Sequence, residues 1–326
     1  MAHLFSPLRI RGLKLENRIV MPPLASSKAT ERGMVTEKLL EHYHAFKGMG
    51  TIIVEHCYVQ QEGRLSPNQL GICCDQQLEG LKELAGVIKN NGIRAGIQLS
   101  HAGSVARKKV TGTSPRGPSA IKVPRREGEL PEELTESEIK ELVISFTAAA
   151  SRATAAGFDF VELHGAHGFL INQFLSPLTN QREDGYGGHL RENLNFPLQV
   201  VRSLRQEIPE EMPLFFRLGA DDLIEGGLKP EDGRQIAEIL MENGVDLIDL
   251  SGGLGGYLKT EKEGFFLYLA DEIKPSLRVP VLVTGGIRSY DYADKIVRQE
   301  KTDLVGVGRE LLKNPDWALE ARKHLH

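Results

Sequence analysis

Short runs of β-branched and other apolar residues alternate along this chain with longer stretches whose apolar positions recur at helical spacing. That rhythm predicts βα units around a parallel sheet. Eight strand candidates can be counted: Arg18–Met21, Thr51–Glu55, Ala95–Leu99, Asp159–His164, Leu214–Arg217, Leu247–Leu250, Val281–Thr284 and Leu304–Val307. Eight units predict an α/β fold of the closed (β/α)8 TIM-barrel type rather than an open doubly wound sheet. Several helix ends are also marked. Thr135-Glu-Ser-Glu138 has capping-box spacing, Ala156-Gly157 stops that helix, Pro230-Glu-Asp starts another and Asn243-Gly244 ends it. Ahead of the first strand, Leu8 to Leu15 alternates around Gly12 and reads as an N-terminal β-hairpin lid on the barrel bottom. Two connections, His101 to about Pro131 and Gly165 to about Arg191, are too long for simple loops. Both follow strands, so both rise from the C-terminal face, where barrel active sites lie. No linker, repeat or low-complexity segment divides the chain, and residues 1–326 are read as one domain.

Composition narrows the partners. With 40% hydrophobic and 26% charged residues, the chain can bury a sizeable core and has no signature of disorder. The formal charge of −4 is small and Lys and Arg are scattered, which argues against nucleic acid or an anionic membrane and for a small-molecule substrate. The opening residues MAHLFSPLRIRGLKLENR lack the apolar run of a signal peptide, and no stretch reaches the roughly 20 apolar residues of a membrane span. Cys57, Cys73 and Cys74 make no disulfide framework. A cytoplasmic location is expected.

Three constellations carry chemistry. In Val161-Glu-Leu-His-Gly-Ala-His-Gly-Phe-Leu170, His164 closes a strand and His167 follows three residues later, so both rings can converge over the barrel mouth. A structural histidine pair is the plain alternative, and zinc would need a third protein ligand. At the end of the chain, Leu282-Val-Thr-Gly-Gly-Ile287 is followed by Leu304-Val-Gly-Val-Gly-Arg-Glu-Leu-Leu312. Gly285, Gly286, Gly308 and Arg309 on consecutive strands suit a phosphate approached by backbone N–H groups, and tight turns are the alternative. Gln98 and Arg217 stand near the ends of strands three and five. A guanidinium inside an apolar barrel needs a partner, either an acceptor-rich ring or an ion pair with Glu55 or Glu162.

On these residues the chain resembles the old yellow enzyme family of FMN oxidoreductases, in its bacterial ene-reductase-like branch, from about Leu4 to the last helix. The matching runs are Leu4-Phe-Ser-Pro-Leu, Glu16-Asn-Arg-Ile-Val-Met-Pro-Pro, Gly96-Ile-Gln-Leu-Ser-His-Ala-Gly, His164-Gly-Ala-His-Gly, Phe174-Leu-Ser-Pro-Leu-Thr-Asn with Arg182-Glu-Asp-Gly-Tyr-Gly-Gly188, and Gly308-Arg-Glu-Leu-Leu. The resemblance implies FMN as cofactor and NADH or NADPH as electron donor. It implies that Pro22, Pro23, Leu24, Ala25 and His56 line the flavin near N5, and that Gln98 and Arg217 bind its pyrimidine half. Gly285, Gly286, Gly308 and Arg309 would hold the phosphate. His164 and His167 would be catalytic, donating to a substrate oxygen, with Ser27 and Phe169 beside the substrate. A homo-oligomer is expected.

The family pattern breaks at several places. The family's tyrosine two residues after the second histidine, the acid for the substrate α-carbon, is Phe169 here, with Tyr58, Tyr186 and Tyr257 as conceivable substitutes. The position that often carries Cys or Thr beside the flavin O4 region is Ala25, which predicts a shifted potential unless Ser26 or Ser27 compensates. Ser27 stands where relatives place an aromatic residue, and the ending Arg322-Lys-His-Leu-His326 carries no cross-subunit arginine. No cysteine cluster or second nucleotide domain follows, so a redox partner would dock from outside. The expected reaction is hydride transfer from NAD(P)H through FMN to an electron-poor alkene, enone or nitro compound. Amine oxidation or demethylation with an external acceptor is the alternative, and a flavin-free lyase or isomerase is a further one.

Overall fold

The computed structural model describes residues 2–256, 260 and 262–325. Eight parallel strands close into a barrel: β1 (Ile19–Met21), β2 (Thr51–Tyr58), β3 (Arg94–Ser100), β4 (Phe160–Gly165), β5 (Leu214–Gly219), β6 (Leu247–Ser251), β7 (Val281–Thr284) and β8 (Leu304–Gly306). Each pairs with its neighbours in sequence, and β8 pairs with β1. The outer helices are α1 (Glu37–His44), α2 (Leu78–Asn90), α3 (Glu136–Ala155), α4 (Asn195–Glu207), α5 (Pro230–Glu242), α6 (Leu267–Ile273), α7 (Tyr290–Arg298) and α8 (Trp317–Leu325). Every strand expected from the sequence is present within a few residues of its expected ends. α3 begins with the Thr135/Glu138 capping box, and α5 carries Pro230 in its first turn. Among the described residues no helix is long and apolar enough to cross a membrane.

The strands are buried on both faces, and the inward face changes character from bottom to top. Val20, Ile53, Phe160, Phe215, Leu247, Leu282 and Leu304 form one buried cluster at the bottom. Ile10, Leu13 and Leu15 of the hairpin Leu8–Ile10/Leu13–Leu15 join them, so the hairpin seals this end. Its turn at Gly12 lies so close to Glu211 that an added Cβ would sit 2.9 Å from that residue's carbonyl oxygen. Side chains alternate along a strand, so the residues two further on return to the interior. They are Glu162 after Phe160, Arg217 after Phe215, Asp249 after Leu247 and Thr284 after Leu282. The same two-residue step leads on to His164, Gly219 and Ser251 at the mouth. An apolar floor thus carries a polar ring, and the polar ring carries the site.

Candidate active site

The polar ring is held by register. Gln98 of β3 stands beside Glu162 of β4, and Arg217 of β5 beside Asp249 of β6. The Gln98 amide Nε2 donates to Glu162 Oε1 at 2.8 Å, and Arg217 Nη1 lies 3.4 Å from Asp249 Oδ2. The ion-pair partner of Arg217 is therefore Asp249, where the sequence pointed to Glu55 or Glu162. Glu55 instead accepts from the Ser26 backbone N–H at 2.8 Å and ties down the loop after β1. Burial pushes the Glu162 carboxyl well up, with Asp249 adding to the effect, and burial also raises Asp249. Two carboxyls this deep do not both carry full charge at neutral pH. One negative charge then balances Arg217, whose Nε is buried and has no hydrogen-bond partner among the described residues.

Above this ring the histidines converge. The rings of His164 and His167 are 5.5 Å apart between centroids, and both residues are buried. His164 Nδ1 has no partner among the described residues, whereas His167 Nε2 lies 2.7 Å from Ser251 Oγ. Arg126, from the long excursion after β3, donates to the His167 carbonyl at 2.8 Å. Desolvation lowers both histidines well below the ordinary range, and the His167, His56, Arg217 and Arg126 charges lower His164 further. Both rings are therefore neutral near pH 7 and donate through one N–H each. Phe169 closes the group, 4.3 Å from His164 and 5.2 Å from His56, and its ring packs on Ala102, Val105, Val123 and Leu254 of the cap.

The other predicted residues fall around this centre. Pro22 is buried, Pro23 and Leu24 are half-buried, and Ala25 and Ser27 are exposed on the loop beyond β1. Pro22 and Leu24 flank Gly308, where an added Cβ would meet their side chains only at 3.5 Å or beyond. Gly286 has φ +65° and, with Gly285, follows β7, while Gly308 and the exposed Arg309 follow the neighbouring β8. In a closed ring of eight, β4 and β8 are opposite, so the glycines face the histidines across the mouth. Tyr58 and Tyr186 are engaged elsewhere, their hydroxyls with Gln77 and Gln199, and Tyr257 lies outside the described residues. Asp249, Ser251, Gln69 and Arg126 went unread in the sequence, none of them standing in a recognisable motif.

Fold and site together define a closed eight-stranded barrel with a polar central ring, and with glycines and a histidine pair at one mouth. The chain matches the model of the NADH:flavin oxidoreductase / NADH oxidase family over residues 3–326, and it belongs to that family. It is 38% identical to an NADPH dehydrogenase of Clostridium acetobutylicum over 326 residues, covering 98% of this chain and 94% of that protein. It is 40% identical to an NADH oxidase of Thermoanaerobacter brockii over 331 residues, covering 98% of this chain and 51% of that one, so it spans about half of the longer relative. Among solved structures, morphinone reductase in complex with tetrahydroNAD superposes with a TM-score of 0.88 at 27% identity, over 100% of this chain and 92% of that one. The old yellow enzyme homologue from Zymomonas mobilis gives 0.87 at 26%, over 99% and 93%.

The protein is thus an FMN-dependent NAD(P)H oxidoreductase of the old yellow enzyme kind. Its residues fit the cofactor. A buried guanidinium with an unspent N–H, a fixed carboxamide and a two-strand glycine cradle are the donors that a flavin's pyrimidine edge and phosphate require. Family membership leaves the flavin-free lyase or isomerase reading without support.

Proposed function

We propose that the mouth reduces alkenes conjugated to a carbonyl or nitro group, with His164 and His167 as the oxygen clamp. The observation that carries this reading is the pair of neutral, converging imidazoles opposite the glycine cradle. Gln98 and Arg217 would hold the pyrimidine half of FMN, Gly285, Gly286, Gly308 and Arg309 its phosphate, and Pro22 to Ala25 with the His56 backbone its N5 side. When bound, FMN supplies the hydride that NAD(P)H first delivers to it. The chain's own part is positional and electrostatic. Two N–H donors on one oxygen draw electron density from the conjugated alkene and stabilise the negative charge that develops there. Being neutral, the imidazoles donate without the cost of burying a cation. Phe169 and the cap cluster cover this charge with apolar surface and keep water from competing for the same oxygen.

One observation favours a second reading. With an apolar ring at position 169, oxidation of an amine or methylated compound, electrons passing to an external acceptor, needs no acid there. Anaerobic titrations separate the two. Reduced protein should be reoxidised by cyclohexenone or a nitroalkene, while oxidised protein should stay yellow with methylated amines. The opposite pattern would establish the second reading.

A further inference from the structure

Adding hydride to one carbon of an alkene leaves a proton to be placed on the other, and the phenyl ring of Phe169 has none to give. The nearest candidate is fixed by an amide. Gln69 Oε1 accepts from the Leu65 backbone N–H at 2.7 Å, so its Nε2 is the donor end. That Nε2 donates to the His56 carbonyl at 3.0 Å and lies 2.8 Å from His56 Nδ1. An amide nitrogen cannot accept a hydrogen bond, so Nδ1 is the bare nitrogen and the neutral ring carries its hydrogen on Nε2. Nothing among the described residues engages that Nε2–H.

Local backbone geometry aims the ring. The pairing of β2 with β3 slips between Val54 and Cys57, a bulge that takes Glu55 and His56 out of the ladder. The His56 ring stands 5.2 Å from that of Phe169 and 6.2 Å from that of His164, nearly parallel to the latter at 20°. Burial keeps it neutral, lowering its pKa to about 4, and the Arg126 and Arg217 charges act in the same direction.

We propose that His56 is a catalytic residue that gives its Nε2 proton to the α-carbon of the substrate, a role that rests on the alkene reading above. The hydride pair forms the β-carbon C–H bond and reduces the substrate by two electrons. The alkene electrons pass toward the α-carbon and the clamped oxygen. The α-carbon C–H bond forms as the Nε2–H bond breaks, and the half-buried ring regains a proton from solvent. An imidazole N–H is a stronger acid than the α C–H of a ketone, so the transfer runs downhill for enones.

The test is reduction of 2-methylcyclohex-2-enone by the full FMN-loaded chain with NADPH, read as the enantiomer ratio of 2-methylcyclohexanone, whose only stereocentre is the protonated carbon. One enantiomer is expected from the unaltered protein. H56F and H56Q should both lose about 100-fold in turnover and give a near-racemic product. Adding F169Y to H56F should restore rate and selectivity. A racemic product from the unaltered protein, or an unchanged ratio in H56F, overturns the proposal. So does loss of selectivity in Y257F with H56Q unaffected. If neither variant folds, 15N NMR of the unaltered protein decides: a protonated Nδ1 on His56 at pH 7 is incompatible with the proposal. Failure of the enone to reoxidise reduced protein would instead bring down the alkene reading itself.

Discussion

His167 has φ 59°, a left-handed backbone conformation that a side-chain-bearing residue keeps only where its neighbours over-determine it. Arg126 holds its carbonyl, Ser251 its ring, and Asn172 Oδ1 accepts from the next N–H, that of Gly168, at 2.8 Å. Ser251→Ala removes the ring contact and lets the imidazole turn. The expected cost is about 1 kcal/mol, roughly fivefold in KM for an enone with a smaller change in kcat, and steady-state kinetics would show it. Arg217→Met should be harsher. It strips the countercharge from a buried Asp249, which costs about 3 to 5 kcal/mol of stability, together with most of the bound flavin. A thermal melt and the flavin-to-protein absorbance ratio would check both. The histidine pair was legible in the sequence because both residues belong to one short motif. Their supports were not, for Ser251 and Arg126 lie 84 and 41 residues away from His167, and only the closed barrel brings them near.

At the scale of elements, the strands were legible because each carries an apolar run that the parallel barrel buries on both faces. The layered interior was partly legible as well, since Gln98 and Arg217 stood out as polar residues in apolar strands. What a strand's own sequence could not reveal is register. Whether Arg217 meets Glu162 or Asp249, and whether β2 bulges at His56, is decided between strands. Gly96 shows how tightly that register is built, because a Cβ there would stand 2.1 Å from the Phe160 ring across the strand pair. Gly96→Ala should therefore push β3 and β4 apart, cost about 1 to 3 kcal/mol and disturb Gln98 two residues later. Urea unfolding would report the first effect and a shifted flavin absorption band the second. Normal stability with an unshifted band would mean the pair has more slack than the geometry allows.

For the whole molecule, the buried titratable groups pull acid stability in two directions. His56 and His101 are lowered by burial to about 4 and about 3, and His164 and His167 well below their ordinary range. The unfolded chain takes up these protons near pH 6.5 while the folded one refuses them, so their contribution is complete above 6.5 and drains away as pH falls. Glu55, Glu162, Asp222 and Asp249 are raised by burial, Asp222 to about 6. The folded state binds their protons more tightly, so they add stability as pH falls through the 6 to 4 range. The two sets offset each other there. Below about pH 4 the carboxyls are protonated in both states, whereas His101, His164 and His167 still exclude protons, each costing about 1.4 kcal/mol per pH unit. Urea midpoints should therefore vary little from pH 6.5 to 4.5 and collapse between 4 and 3. His101→Gln should flatten that collapse by one histidine's share. A steady decline beginning at pH 6.5 would show that the carboxyl ring does not offset the histidines.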